Sequence, residues 1–299
     1  MFIRLLGTAA GGGLPQWNCG CRSCSAARSG LLPARTQSGV AISPDGDHWF
    51  LINASPDLGA QMNAFPPLHP NAAKNPRQSK IAGVLLTNAD LDHVLGLLLL
   101  REGPPLAIHA TAAVRESLAA AGIENILAAF CGLSWLEPSA DPVEIEDPAG
   151  APTGLFARAI FLPGAPPPYA KTTSHPSGHS IAWQIHDRRT GARLLAAPDV
   201  AAIDPPLAAA IADSDLILFD GTFWSGDELL HVRPGARTAE EMGHIPIQAS
   251  LDTLRASPAG RKVYFHINNT NPILAPGPER AAVEQAGIMI GYDGLEFDL

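Results

Sequence analysis

Short apolar runs that end at turn-forming residues recur along the whole chain and predict a protein rich in β-strands. Such runs, bounded by Gly, Pro, Asn or Asp, are typical of strands that bury one or both faces. The predicted strands are Phe2–Leu6, Gly39–Ser43, Trp49–Asn53, Ile81–Thr87, Leu106–His109, Leu155–Phe161, Ser180–His186, Arg193–Ala197, Leu216–Asp220 and Lys262–Ile267.

Segments that favour helices lie between these strands. The predicted helices are Asp57–Ala64, Val94–Arg101, Thr111–Ala121, Pro205–Ala212, Pro246–Ala256 and Pro278–Ala286. Three of them begin with proline, which favours the first turn of a helix. Because strands and helices are mixed in both halves and no sequence repeat is found, we predict an α/β (α+β) fold in which two mixed sheets pack together with helices outside.

One segment has neither strand nor helix character. Leu162–Pro176 contains five prolines and no apolar periodicity. A segment of this kind either connects two elements passively or covers a site, and the sequence slightly favours the connector.

Composition excludes several classes of function. Hydrophobic residues make up 46% and charged residues 16% of the 299 residues, which is enough apolar material for a sizeable core. The net charge of −9 argues against a nucleic-acid partner, since such proteins need clustered Lys and Arg. No apolar run approaches the roughly 20 residues of a membrane span. The start, Met1–Gly7, lacks the features of a signal peptide, so we expect a cytoplasmic protein and leave open whether it forms a homo-oligomer.

Three of the four cysteines form a C-x-C-x-x-C motif at Cys19, Cys21 and Cys24. In a cytosolic chain this spacing favours metal ligation over disulfides. We predict a structural zinc ion held by the three thiolates, with Asn269 or a distant histidine as alternatives for the fourth ligand. A redox role is the weaker alternative, because the motif lacks the strand-to-helix context of a thioredoxin site. Cys131 is interpreted as a small buried apolar residue.

The densest group of potential metal ligands follows the predicted strand Ile81–Thr87. Asp90, Asp92 and His93 lie together in the loop at its end; for a lone Asp-His pair, a solvated turn before a helix would be the better explanation. Ligand types recur at the ends of other strands, at His179, Asp199 and His266. Several ligand-bearing strand ends in one chain favour a shared site over separate structural roles.

The order of these residues resembles the metallo-β-lactamase superfamily. That family carries a T-H-x-H-x-D-H loop, a His in a Gly-His context, an Asp after an apolar strand and a His after a late strand. The matching residues here are Asp92, His93, His179, Asp199 and His266. The resemblance implies an αββα sandwich, one domain over residues 1–299, with the site at the sandwich edge.

The departures from that family are informative. Its first two loop histidines are Asn88 and Asp90 here, and an early strand-end Asp is Asn53. Two of the three imidazoles that hold the family's first zinc are therefore missing, so a dizinc hydrolase is expected only as an alternative function.

Five longer motifs are similar to the family of pyrroloquinoline quinone (PQQ) biosynthesis protein B. They are Gly11–Asn18 with the cysteine motif, Arg35–Ser38, Asn53–Asp57, Leu97–Glu102 and His266–Leu274. The resemblance implies a role in cofactor maturation. The family is regarded either as an iron- and oxygen-dependent hydroxylase of the tyrosine ring of a peptide-derived glutamate–tyrosine precursor, or as a carrier of PQQ or its precursor toward the periplasm. Other proteins of the pathway are then potential partners.

The retained ligands favour the hydroxylase. Asp92, His93 and His266, with Asp199 able to bridge and Asp90 adding a carboxylate, form a two-histidine, one-carboxylate set suited to non-haem Fe(II), although zinc can occupy such a site as isolated. His179 and His244 are candidates for proton transfer or substrate contact, and a structural histidine packed at a helix start explains His244 about as well. The further substrate-contact candidates are Asn88, Arg35, Arg101 and Lys171.

Overall fold

The computed structural model describes residues 1–71, 73, 76–171 and 173–299, whose strands form two seven-stranded mixed sheets. The strands of the first sheet are β1 (Phe2–Gly7), β2 (Gly39–Ser43), β3 (Trp49–Ile52), β4 (Ile81–Leu85), β5 (Leu106–His109) and β6 (Leu133–Leu136), joined at one edge by β14 (Glu296–Asp298). Those of the second are β7 (Val143–Glu146), β8 (Pro152–Leu162), β9 (Ser180–Asp187), β10 (Arg193–Ala197), β11 (Leu216–Asp220), β12 (Arg261–Phe265) and β13 (Met289–Ile290).

Helices cover the outer faces of the sheets. They are α1 (Arg22–Arg28), α2 (Leu58–Asn63), α3 (Leu91–Val94), α4 (Ala112–Ala120), α5 (Ile123–Phe130), α6 (Pro205–Ala212), α7 (Glu228–Val232), α8 (Ile247–Ala256) and α9 (Pro278–Gln285). Short 3₁₀ helices span Pro66–Leu68, Leu95–Glu102, Pro168–Ala170, Glu240–Met242 and Pro272–Leu274. Among the described residues, no helix is both long and apolar enough to cross a membrane.

The two sheets share one plan. In the first, an antiparallel meander β1–β2–β3 continues into the parallel strands β4, β5 and β6. In the second, the meander β8–β9–β10 continues into the parallel strands β11, β12 and β13. This repeat of topology has no counterpart in a repeat of sequence, because many apolar side chains can fill the same strand positions.

Burial follows the predicted layers. One apolar cluster lies between the sheets and includes Phe50, Trp183 and Phe265. Two others lie between a sheet and its outer helices, the first around Leu51 and Leu97 and the second around Phe219 and Tyr264. The predicted sandwich of two mixed sheets with helices outside is confirmed.

All ten predicted strands and all six predicted helices are present, with boundaries that differ by a few residues at most. The predicted helix Val94–Arg101 is a 3₁₀ helix over Leu95–Glu102 that follows α3. At Gly96, this 3₁₀ helix lies close to the chain segment that follows β3. The amide of Gly96 donates to the carbonyl of Ala54 at 2.9 Å. A Cβ atom at this position would lie 2.2 Å from the carbonyl oxygen of Ser55, so only glycine fits.

The Pro-rich segment is not the passive connector that the sequence slightly favoured. The hydroxyl of Tyr169 donates to the carbonyl of Ala89, inside the ligand-rich loop. Farther along, Thr173 and Ser174 donate hydrogen bonds to the carboxylate of Glu116 on α4. The segment is therefore pinned across the edge of the sandwich; residue 172 lies outside the described residues.

Candidate metal centre

Parallel strands bring the ligand types of the second sheet to one edge. Asp199 follows β10, Asp220 ends β11 and His266 follows β12. These three strands are parallel neighbours, so their carboxyl ends meet at the same side of the sheet. This is the position at which open α/β sheets commonly bind ligands.

The first sheet supplies the opposing ligands. The loop after β4 turns into the single-turn helix α3, which carries Asp92 and His93. His93 is fully buried, and its carbonyl accepts the amide of Ala54 at 2.7 Å, so the loop is held against the end of β3. Asp92 and His93 therefore face the strand ends of the second sheet across the sandwich edge.

Two overlapping groups of ligand atoms result, each with all atoms within 4.8 Å of one another. Asp92, His93 and His266 form the first group, and Asp199, His244 and His266 form the second. His266 Nε2 lies 3.3 Å from Asp92 Oδ2 and 3.8 Å from Asp199 Oδ1, so it stands between the two carboxylates. This set of imidazoles and carboxylates fits a divalent transition-metal ion.

Contacts of their Nδ1 atoms orient two of the histidines. His266 Nδ1 lies 2.9 Å from the hydroxyl of Thr222, which donates to Asp220 Oδ1 at 2.7 Å. His244 Nδ1 lies 2.8 Å from Asp220 Oδ2. The fully buried Asp220 thus supports both rings, in the way that carboxylates behind metal-binding histidines fix the ring orientation.

Asn88 joins the two halves of the cluster. Its Nδ2 donates to Asp199 Oδ2 at 2.9 Å. Its Oδ1 accepts the backbone amide of Asp90 at 3.0 Å and lies 2.9 Å from His93 Nδ1. Asn88, which the resemblance described above sets apart from the family's loop histidine, is thus an amide that contacts candidate ligands on both sides.

The charges of the cluster stabilise one another. Burial opposes ionisation of Asp92, but His93 and His266 outweigh it and lower the pKa of that carboxyl. Burial likewise opposes protonation of His266, but Asp199, Asp92 and Asp220 raise its pKa to about 9. A bound cation would replace such protons, because it offers the carboxylates the same positive charge.

The backbone is unusual at two of the strand ends. Asn53 has φ of 64° and His266 has φ of 55°, in the left-handed region that side chains other than glycine seldom adopt. The side chain of Asn53 binds the amide and hydroxyl of Thr87, which ties the end of β3 to that of β4. Such conformations cluster where a site must hold a side chain in a fixed direction.

The remaining histidine and carboxylate candidates, His179 and Asp90, lie outside the two groups of ligand atoms. Asp90 is at the exposed rim, where surrounding protein atoms and the charges of Asp199 and Asp92 raise its pKa to about 6. His179 is buried, with Nε2 at 3.0 Å from the carbonyl of His175 and with no partner for Nδ1. Within the described residues, the metal-binding groups of ligand atoms include neither of them.

The arginines named as substrate-contact candidates bind other parts of the protein. Arg35 donates to the carbonyl of Gly291 and the hydroxyl of Thr8, beside the charge of Asp293. Arg101 donates to the carbonyl of Leu98 at 2.8 Å and lies over the ring of Phe130. These contacts hold the fold and lend no support to substrate contact; Lys171 is exposed on the Pro-rich segment.

The cysteine motif forms a second, separate cluster. The sulfurs of Cys19, Cys21 and Cys24 all lie within 4.8 Å of one another, and all four cysteines of the chain are free thiols. Asn269 Nδ2 lies 3.1 Å, 3.5 Å and 3.2 Å from these sulfurs in turn. Backbone amides of Gln16, Cys21 and Cys24 also point at the sulfurs, which suits thiolates bound to a metal.

The two clusters are linked through one loop. Asn269 follows His266 by three residues, in the turn after β12. The Nδ2 group of Asn269 donates hydrogen bonds toward the sulfurs, whereas a metal would be bound through Oδ1, so this contact supports thiolates but does not assign the fourth ligand. Cys131 lies apart from the motif, and burial raises the pKa of its thiol.

Sequence reasoning did not identify Asp220 or Thr222. The signal for Asp220 was present, because it ends an apolar strand in the same way that Asp199 follows one. Its role depends on the parallel order of β10, β11 and β12, which the sequence does not specify.

Comparison with known proteins agrees with the fold. The chain matches a family model described as beta-lactamase superfamily domain over residues 48–267. It is 42% identical to coenzyme PQQ synthesis protein B of Cupriavidus necator and 43% identical to that of Rhodopseudomonas palustris, in each case over 99% of both chains. A crystal structure of Zn²⁺-bound PqqB from Methylobacterium extorquens superimposes with a TM-score of 0.89 at 38% identity, over 100% of both chains. The similarity extends over nearly the full length of the chain.

Proposed function

The chain belongs to the coenzyme PQQ synthesis protein B family of the β-lactamase superfamily, and from this premise we propose that it is a metal-dependent hydroxylase in PQQ biosynthesis. The substrate we propose is the tyrosine ring of a small glutamate–tyrosine precursor derived from a peptide. The reaction inserts one oxygen atom of O₂ into a ring C–H bond and reduces the other to water. Two electrons and two protons must therefore come from an external reductant.

The observation that carries this proposal is the ligand set of Asp92, His93 and His266. Two histidines and one carboxylate leave positions free at the metal, as in non-haem Fe(II) oxygenases. Fe(II) held there would supply the activation of O₂ that hydroxylation requires. Asp199, within 3.8 Å of His266, is placed to complete or bridge the set.

The other residues of the site serve binding and proton transfer in this proposal. Asp220 holds His244 at 2.8 Å, so His244 is a candidate to accept the proton that leaves the ring carbon. Asp90 at the rim and the unpartnered Nδ1 of His179 are further candidates for proton transfer or substrate contact. Asn88 retains one N–H group that could also reach a substrate.

Metal analysis and an oxygen-dependence assay test the proposal. Protein reconstituted anaerobically with Fe(II) is mixed with a glutamyl-tyrosine dipeptide and a reductant, then divided into aerobic and anaerobic samples. We expect a hydroxylated product only with oxygen and Fe(II), and none from Asp92→Ala. Failure to form product from any tyrosine-containing precursor, combined with tight quinone binding that survives Asp92→Ala, would instead favour a carrier.

For the cysteine cluster we propose a structural zinc ion. Three thiolates provide most of a tetrahedral zinc shell, and Asn269 would be the fourth group only with its amide turned so that Oδ1, not Nδ2, faces the ion. Its position three residues after His266 means that this zinc would also steady the loop that carries an active-site ligand.

A hydrolase with two metal ions is the second candidate. The observation that favours it is the second group of ligand atoms, Asp199, His244 and His266. Metal content separates the two proposals: a hydrolase should hold two ions at the strand ends besides the zinc of the cysteine cluster, whereas the hydroxylase needs one.

A further inference from the structure

Asn88 lies between two candidate metal ligands, and its contacts show what its side-chain amide does there. The side chain is buried between the ligands Asp199 and His93. An amide has a distinct donor end and acceptor end, so the identity of its neighbours decides which way it must face.

Two independent neighbours fix the amide. The carboxylate of Asp199 only accepts hydrogen bonds, so the end of Asn88 at 2.9 Å from Oδ2 must be the NH₂ group. The backbone amide of Asp90 only donates, so the end at 3.0 Å from it must be the carbonyl oxygen. Both requirements give the same orientation.

This orientation determines the tautomer of His93. The carbonyl oxygen of Asn88 faces His93 Nδ1 at 2.9 Å and can only accept, so Nδ1 must carry the hydrogen. Asp199 Oδ2, at 3.3 Å, is a second acceptor on the same side. On the opposite side, Nε2 faces the hydroxyl of Ser38 at 3.3 Å, which can donate to it, and Asp92 Oδ2 at 3.9 Å.

We infer that Asn88 is a positioning residue that directs the lone pair of His93 Nε2 toward the metal and holds Asp199 beside it. It acts through these two ligands and not as a ligand itself. Asn88 therefore preorganises the centre without occupying a coordination position. The inference rests on the proposed metal centre and is independent of which reaction that centre performs.

The first test uses the unaltered protein. Long-range ¹H–¹⁵N correlation spectra of the metal-free protein report which ring nitrogen of His93 is protonated. We expect the Nδ1–H tautomer. Protonation of Nε2 alone would overturn the inference, whatever the variants do.

The second test compares Asn88→Leu with Asn125→Leu. Leucine keeps the branched shape of the side chain and removes both ends of the amide, and Asn125 is exposed on α5, away from the strand ends. We expect Asn88→Leu to shift the Nδ1–H signal of His93 and to weaken zinc binding at this centre by about 10- to 100-fold in a chelator competition. Asn125→Leu should keep wild-type zinc affinity.

These outcomes separate the inference from the proposed metal centre. If the wild-type protein binds no metal at the strand ends, the metal centre is wrong. If the wild type binds metal and Asn88→Leu keeps both its affinity and the His93 signal, the role of Asn88 is wrong while the centre stands. An unfolded Asn88→Leu leaves the tautomer of the wild type as the deciding result.

Discussion

At the scale of single residues, the metal cluster depends on side chains that need not touch a metal. Asp92, His93, Asp199 and His266 were predictable from the sequence, because each lies at or just after a strand end. Asp220 and Thr222 were not, since their role is to hold His244 and His266 from behind and only tertiary structure places them there.

Asp220→Asn tests this support. The asparagine amide has one oxygen, so it can replace only one of the two accepting oxygens of Asp220, and the buried negative charge behind His244 and His266 is lost. We expect zinc affinity at the strand ends to fall by about 10- to 100-fold in a chelator competition. Asp215→Asn, just before the start of the same strand, should leave affinity unchanged; equal loss in both variants would contradict the assigned role.

Cys24→Ser tests the second cluster. Cys24 is fully buried, and its sulfur lies 3.2 Å from Asn269 Nδ2. We expect the variant to lose about one equivalent of zinc per chain and to unfold at a lower temperature, because a structural zinc contributes folding free energy. Cys131→Ser, a matched change outside the motif, should retain the zinc. A wild-type protein without zinc at this cluster would refute the proposal directly.

At the scale of elements, the sequence predicts the longer strands well and the short edge strands poorly. β13 and β14 have two and three residues, too few for an apolar pattern, and they exist because neighbouring strands offer unpaired backbone groups. α5 was missed as well; its exposed Ile126 and Phe130 obscure the usual division into apolar and polar faces.

Close packing at Gly96 holds the 3₁₀ helix Leu95–Glu102 against the chain that follows β3. A methyl group there would meet the carbonyl of Ser55 at 2.2 Å and push the 3₁₀ helix, and with it His93, away from the end of β3. We expect Gly96→Ala to lower the free energy of unfolding by about 2–4 kcal/mol and to weaken metal binding.

Gly59→Ala is the control for that change. A Cβ at Gly59, in helix α2, would meet Leu99 at an ordinary 3.5 Å. The substitution should be neutral or stabilise by up to about 1 kcal/mol, because alanine favours helix. Chemical denaturation measures both variants, and equal stability of the two would contradict the packing described here.

At the scale of the whole molecule, two sheets of similar topology each present ligands at one sandwich edge. The expected architecture followed from the alternation of strands and helices, whereas the pairing order did not, because it depends on contacts between distant segments. The Pro-rich segment Leu162–Pro176 is an example: Tyr169 contacts the carbonyl of Ala89, a residue far away in the sequence, so the local pattern could not predict the contact.

His109, outside the metal cluster, makes the free energy of unfolding depend on pH. Burial lowers its pKa from 6.5 to about 4. Between those values the unfolded chain binds a proton that the folded protein does not, so stability is full above pH 6.5 and falls as the pH drops toward 4. Without this ring, the free energy of unfolding of His109→Asn should fall by about 1–3 kcal/mol less than that of the wild type between pH 6.5 and pH 4. The lower end of this range is expected because the ring is partly accessible.

Urea unfolding at several pH values measures this effect. The exposed His69 provides the control, since His69→Asn should leave the wild-type pH dependence in place. A wild-type slope in His109→Asn would mean that other groups account for the loss of stability in acid.

The most direct test of the central claim is the fate of isotopically labelled O₂. Protein loaded with Fe(II) under anaerobic conditions is given a glutamyl-tyrosine substrate and a reductant, then exposed to labelled O₂, and the product is analysed by mass spectrometry. If Asp92, His93 and His266 hold the iron of a hydroxylase, one labelled oxygen atom appears on the tyrosine ring, and Asp92→Ala abolishes it. Product without the label, or label incorporation that persists in Asp92→Ala, would contradict the account.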